Sequence, residues 1–209
     1  AFIDRMRAAR QDAAPDQDIS TELMHTRVDG RLLDLRQLAS VLRNWTVGEV
    51  GTIAASVGIV LHWLASHPEW QRRLRAEPTL LPAAIDEVLR IDGPLVANRR
   101  ITTRPVELGG RTLPAGTALS LNWIAANRDP QAFDAPDAFD LAREPAANLL
   151  YGAGIHVCPG APLARLELRL LMEELLIRTR SIDLTEGHAP TRAAFPDAGY
   201  ASLRIRLRA

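Results

Sequence analysis

The sequence predicts a mainly α-helical fold with small β-sheets. Three observations carry this. Apolar residues recur at helical spacing through a long stretch from about Asp34 to Ser66, with Leu38, Val41, Leu42 and Trp45 at i, i+3, i+4 and i+7. Three further segments, Pro68–Ala76, Pro82–Ile91 and Pro162–Arg178, read as helices, the last opening on a proline suited to a first helical turn. Strand-like patterns are confined to short pieces between Val106 and Leu121 and at the tail. With 209 residues, 47% of them apolar, the chain can build one domain around a sizeable core.

Taken in order, Ala1–Ala14 reads as a helix and Ile19–His25 begins a second, short one. Asp29-Gly30 is a turn signal. The long Asp34–Ser66 pattern is odd in its middle, where Gly48, Gly51 and Gly58 would each cost about 1 kcal/mol against alanine in a helix interior. Close packing of another helix would justify them. In Pro82–Ile91, Glu87 and Arg90 stand at i, i+3, a spacing commonly worth only a few tenths of a kcal/mol on a surface. After Gly93-Pro94 the pattern turns to strands. Val106–Leu108, a Gly109-Gly110 turn and Thr112–Leu121 read as a hairpin. The Pro/Ala/Asp-rich 130–147 segment is loop-like. Pro162–Arg178 carries an apolar stripe of Leu163, Leu166, Leu170, Leu171 and Leu175, and Glu174 and Arg178 form an i, i+4 pair. The alternation Leu203-Arg204-Ile205-Arg206-Leu207 reads as a half-buried strand.

Charge excludes some functions. Basic and acidic residues number 25 each, so nothing pulls the chain toward nucleic acid or an acidic membrane. All 25 basic residues are arginine. The longest charge-free run, Val50–Ser66, falls short of the roughly 20 apolar residues of a membrane span, and His62 interrupts it. No signal peptide opens the chain, and one cysteine cannot form an internal disulfide, so a cytoplasmic, reducing setting fits.

That cysteine, Cys158, lies in Tyr151-Gly152-Ala153-Gly154-Ile155-His156-Val157-Cys158-Pro159-Gly160, which runs into Ala161-Pro162-Leu163-Ala164-Arg165-Leu166-Glu167. Gly152, Gly154 and Gly160 suit a backbone that turns tightly or approaches a ligand. A sulfur just ahead of a helix start lies near backbone N–H groups that favour its thiolate. By residue type alone, a buried cysteine in a glycine-rich turn reads the same way. A zinc site built on His156 and Cys158 lacks further ligands at the right spacing.

The decapeptide and the helix start that follows resemble the cysteine loop and last long helix of the cytochrome P450 family: aromatic-x-x-Gly-x-His-x-Cys-x-Gly, then A-x-x-A-R-x-E. Tyr151 departs from the phenylalanine usual there. The resemblance covers essentially the whole chain, 1–209, as the C-terminal, heme-binding half of one such domain of soluble, bacterial type, with the N-terminal half absent. It implies heme b (iron protoporphyrin IX) as cofactor and Cys158 as the iron ligand. Arg100, with Arg99 as the neighbouring candidate, and His156 correspond to contacts of the heme propionates, which guanidinium can bind bidentately. Glu87 and Arg90 match the family's E-x-x-R, and Arg143 its third partner. One carboxylate flanked by two guanidiniums can bond both bidentately, which suits a structural lock supporting the loop. Asn127-Arg128-Asp129-Pro130, Phe133, Pro136 and Phe139 follow the family's irregular meander.

Gly48-Glu49-Val50-Gly51-Thr52 aligns with the family's A-G-x-[DE]-T, where dioxygen sits. Thr52 is kept; the preceding acid is replaced by Gly51, and Glu49 stands one step early. Helical winding puts residues i and i+3 on one face, so Glu49 and Thr52 are expected to point the same way, with a buried Glu49 carboxyl raised in pKa. The implied activity is a monooxygenase: one oxygen atom of O2 enters a small organic substrate, with electrons from a ferredoxin-like or flavin redox partner. Arg72, Arg73, Arg75 and Arg165 are candidate partner contacts. The lost acid leaves a peroxide-using relative as an alternative. From another class come a heme-binding sensor and a non-catalytic truncated protein.

Overall fold

The computed structural model describes residues 2–14, 16–195 and 197–209; Ala1, where the sequence places the start of the first helix, lies outside the described residues. The chain divides into two compact units, one reaching to Val50 and the other starting at Gly51.

In the first unit, α1 spans Phe2–Ala9 and ends short of the expected Ala14. Arg10 and Gln11 already bond three residues back, to Arg7 and Ala8, so the helix unwinds there. The next helix, α2 (Ile19–His25), opens where Asp18 caps it by accepting from the Thr21 amide at 2.8 Å. Strands β1 (Arg27–Val28) and β2 (Arg31–Leu32) form a hairpin. Its turn has φ of 51° at Asp29 and 75° at Gly30, the pair of left-handed conformations that a two-residue hairpin needs. Helix α3 (Leu35–Val47) starts with a capping box: Asp34 accepts from the Gln37 amide and Gln37 accepts from the Asp34 amide. Leu38 is fully buried with Leu23, Met24 and Leu33, and Val41 and Leu42 pack against them, whereas Trp45 at the end of the expected stripe stays exposed.

The long helical pattern is not one uniform α-helix. Gly48–Thr52 winds as a π-helix between α3 and α4 (Ile53–Ser66). A methyl group added at Gly48, Gly51 or Gly58 would meet nothing within 4 Å, so close packing does not explain these glycines. Two of them fall in the π stretch, where a residue without Cβ resists a departure from α winding least. By length and composition alone the Leu35–Ser66 run contains a stretch apolar enough to cross a bilayer, a test that the core helix of a globular protein also passes. Ile59, Val60 and Leu64 from the same run lie in the core.

Around α4 the second unit assembles α5 (Pro68–Ala76) and α6 (Leu81–Ile91). Strand β3 (Ala97–Ile101) follows, then the hairpin β4 (Val106–Leu108) and β5 (Arg111–Leu113). The expected strand 112–121 is broken. Beyond a turn at Pro114–Gly116 the chain enters β6 (Ala118–Asn122), which pairs with β3 instead of extending β5. Buried Thr102 enforces the switch: its hydroxyl donates to the Pro114 carbonyl and accepts from the Thr117 amide. A short α7 (Trp123–Ala126) leads into the irregular 128–147 segment. Helix α8 (Ala161–Arg178) is followed by β7 (Ser181–Leu184), β8 (Thr191–Arg192), β9 (Tyr200–Ser202) and β10 (Ile205–Arg208). The tail strand β10 pairs antiparallel with β7, and β8 with β9.

The core draws Leu74 from α5, Leu81, Ile85, Val88 and Leu89 from α6, and Ile182 from β7. Buried Gln71 ties α5 to the sheet, donating to the carbonyls of Leu64 and Ile182 and accepting from the Ile182 amide. From α8 the buried residues are Ala161, Leu168, Met172 and Leu176. Of the stripe read from the sequence, Leu163, Leu166, Leu170 and Leu171 are exposed, and only Leu175 touches the core. The helix is apolar on more than one side, so periodicity alone could not choose which side faces inward.

Candidate functional site

Cys158 sits two residues ahead of the Gly160 cap of α8, and its thiol is exposed. The loop that presents it is built from backbone bonds. The Gly152 amide donates to Leu149, the Val157 amide to Gly154, the Cys158 amide to Tyr151 at 2.8 Å, and the Ala161 amide to Cys158. Gly152 and Gly154 have φ of 74° and 65°, which only glycine adopts without strain. A Cβ on Gly160 would stand 3.8 Å from the Cys158 sulfur. His156 ends a short 3₁₀ turn and is exposed, as are Ile155, 95% accessible, and Val157. A thiol displayed beside exposed apolar side chains at a helix head fits a flat, largely apolar metal macrocycle held by sulfur.

Glu87, Arg90 and Arg143 come together. Glu87 is 6% exposed and Arg90 1%. Arg90 bonds the carboxylate bidentately, Nε to Oε2 at 2.7 Å and Nη2 to Oε1 at 2.9 Å. Arg143 differs from the two-sided bidentate arrangement expected of it. Only its Nε reaches Glu87, at 3.0 Å, because its terminal nitrogens donate to the carbonyls of Asp134, Ala135 and Ala138. Phe133 lies under both guanidiniums, and Phe139 packs against both Trp63 and Trp70.

A buried asparagine of the meander links this network to the cysteine loop. Asn127, 2% exposed, accepts from Arg90 Nη1 at 2.6 Å on its carbonyl and from the Leu149 amide at 2.7 Å on its side chain. Leu149 in turn accepts from Gly152. Only its place in Asn-Arg-Asp-Pro marked it, and that motif says nothing of burial. Asp86, beside Glu87, belongs to no motif in the sequence. It bonds Arg165, one of the candidate partner contacts, at 2.9 Å.

The remaining candidates are placed apart. Arg99 and Arg100 neighbour each other on β3 and so point to opposite faces, Arg99 exposed and Arg100 half-buried with Nη1 on the Arg99 carbonyl. Of the other candidate partner contacts, Arg75 donates to the Leu176 carbonyl and Arg73 pairs with Glu77. Thr52 is half-buried at the start of α4 and its carbonyl accepts from the Ser56 hydroxyl. Glu49 is exposed, within a run 43–51 that is exposed throughout, so the buried carboxyl expected there is not found. The shared face expected of Glu49 and Thr52 also rested on α winding. Gly48–Thr52 winds instead as a π-helix, which bonds i to i+5.

A family model for Cytochrome P450 matches residues 1–193. The cyclomarin C epoxidase CymV of Salinispora arenicola is 38% identical over 98% of this chain and 52% of its own length. The erythromycin C-12 hydroxylase of Saccharopolyspora erythraea is 36% identical over 83% of this chain and 44% of its own. Among solved structures, CYP109E1 from Bacillus megaterium in complex with corticosterone superposes with a TM-score of 0.91 at 28% identity, over 100% of this chain and 56% of that one. The hydroxylase HmtN of himastatin biosynthesis gives 0.88 at 33% identity, over 99% of this chain and 56% of that one. The chain belongs to the cytochrome P450 family. It spans about half the length of the curated relatives it matches.

Proposed function

We propose that the protein this chain belongs to is a heme-thiolate monooxygenase, acting in the cytoplasm on a small organic substrate. The observation that carries the reading is Cys158, displayed on a glycine-shaped loop at the head of α8. The sulfur would hold the iron of heme b, and Arg100 or Arg99 with His156 would hold the propionates. Bound there, the heme supplies activation of dioxygen with two electrons from a redox partner, one oxygen atom going to substrate and the other to water. This chain's residues do the rest. The Thr52 hydroxyl would pass a proton toward dioxygen, and Arg72 and Arg73 on α5 would meet an acidic ferredoxin-like or flavin partner.

The reduced, CO-bound spectrum of the heme-loaded protein tests the class. Thiolate ligation moves the Soret band far to the red, and its absence from freshly reduced protein would refute the proposal.

Thr52→Ala is expected to slow product formation by on the order of 10²-fold, the low end of what a positioned proton-transfer group contributes. The reducing equivalents should appear as peroxide while substrate binding survives. Parent-like coupling would remove Thr52 from proton delivery. Glu49→Gln, assayed alongside, decides the source of the proton: loss of coupling assigns it to Glu49, and parent-like coupling assigns it to solvent.

A further inference from the structure

Next to the buried Glu87 lies a second acid with a different partner. The Asp86 side chain is 26% exposed, and its Oδ2 accepts from Arg165 Nε at 2.9 Å. Its other oxygen, Oδ1, is buried with no hydrogen-bond partner among the described residues. Burial accordingly pushes this carboxyl's pKa up, and Arg165 works against that push. The ionised carboxylate leans on one guanidinium.

That guanidinium is engaged on a second side. Its central carbon stands 4.5 Å from the centre of the Tyr151 ring, where a cation is drawn to the aromatic face. Burial, with the Asp86 charge next, pushes the Tyr151 phenol up to about 12, so it stays neutral. The same tyrosine's carbonyl accepts the Cys158 amide. Three elements thus meet on one side chain: α6 through Asp86, α8 through Arg165, and the loop through Tyr151.

We infer that Asp86 and Arg165 are positioning residues for the Cys158 sulfur, holding the Tyr151 ring and the backbone behind it while presenting to the sulfur a charge pair that sums to zero. The inference rests on the reading of Cys158 as iron ligand. Its signature is electrostatic. A charge pair with one member removed leaves the other acting alone, and the field at the sulfur changes sign with the choice of member. Reduction of the iron adds negative charge at the site, so an uncompensated cation favours it and an uncompensated anion opposes it.

The test uses the heme-loaded protein and measures the iron midpoint potential and the lifetime of the far-red CO band. Asp86→Asn should raise the potential and Arg165→Gln should lower it. The double variant should return toward the parent value, because with both members gone the pair again contributes no net charge. The far-red band should fade several-fold faster in Arg165→Gln, with Arg165→Lys intermediate. Potentials equal to the parent's, or shifts of the same sign in both single variants, would overturn the inference while leaving the ligand assignment standing. A parent protein without the far-red band would instead sink that assignment. If Arg165→Gln fails to load heme, Asp86→Asn, which preserves shape, decides by the sign of its shift.

Discussion

Replacing Glu87 with alanine is expected to destabilise the protein by about 3–5 kcal/mol and to empty it of heme, because it strands a buried charge. Arg90 is 1% exposed, so water cannot take over from the lost carboxylate. Its remaining bonds, to the carbonyls of Asn127 at 2.6 Å and Ala138 at 3.3 Å, satisfy hydrogens but do not balance the charge. The effect should spread to the cysteine loop. Arg90 fixes Asn127, Asn127 holds the Leu149 amide, and Leu149 accepts from Gly152. Heme content and the urea midpoint of the purified variant report both losses together. A Glu87→Ala protein with parent-like values of both would mean that the network supports nothing. Glu87→Gln should fall between, keeping the acceptor oxygen but not the charge.

Cys158→His is expected to give the opposite profile, a stable protein with no monooxygenation. The thiol is exposed and its backbone bonds run through its own N–H and carbonyl, which any residue supplies. Replacing the side chain leaves those backbone bonds in place, so the loop is expected to keep its shape. Imidazole can ligate iron but brings no negative charge, so the CO-bound Soret band should lose its far-red position and product formation should stop. Recording both spectra on protein of equal heme content separates lost ligation from lost heme. If the variant's CO spectrum overlaid the parent's, Cys158 would not be the ligand.

Much of this arrangement is written in local signals. Capping at Asp34, the Asp29-Gly30 and Gly109-Gly110 turns and the prolines at helix starts each follow from the chemistry of one or two residues. The cysteine loop was legible because a ten-residue pattern of glycines, histidine and cysteine is specific. What escaped depends on tertiary context. Leu168 and Leu166 are the same residue type on the same helix, yet only the first is buried, and nothing in the spacing separates them. The π stretch at Gly48–Thr52 was visible as misplaced glycines but not as a change of winding, and the alignment expected of Glu49 assumed α winding. Asn127 and Asp86 gain their importance from partners far along the sequence, Leu149 and Arg165. A single chain read in order cannot reveal such pairs.

The 128–147 segment carries one further consequence. Among the described residues it holds no strand and no helix beyond the single 3₁₀ turn Pro145–Ala147. Its carbonyls at Asp134, Ala135 and Ala138 are gathered by Arg143, and Ala138 also by Arg90, while Phe139 packs against two tryptophans. A ladder of equivalent backbone bonds can fray from its end one rung at a time. A segment fastened at a few strong points cannot, so the Asp140 amide, which donates to Glu87, is expected to exchange with solvent only when the Glu87 charge network opens, a rate that hydrogen exchange reads directly.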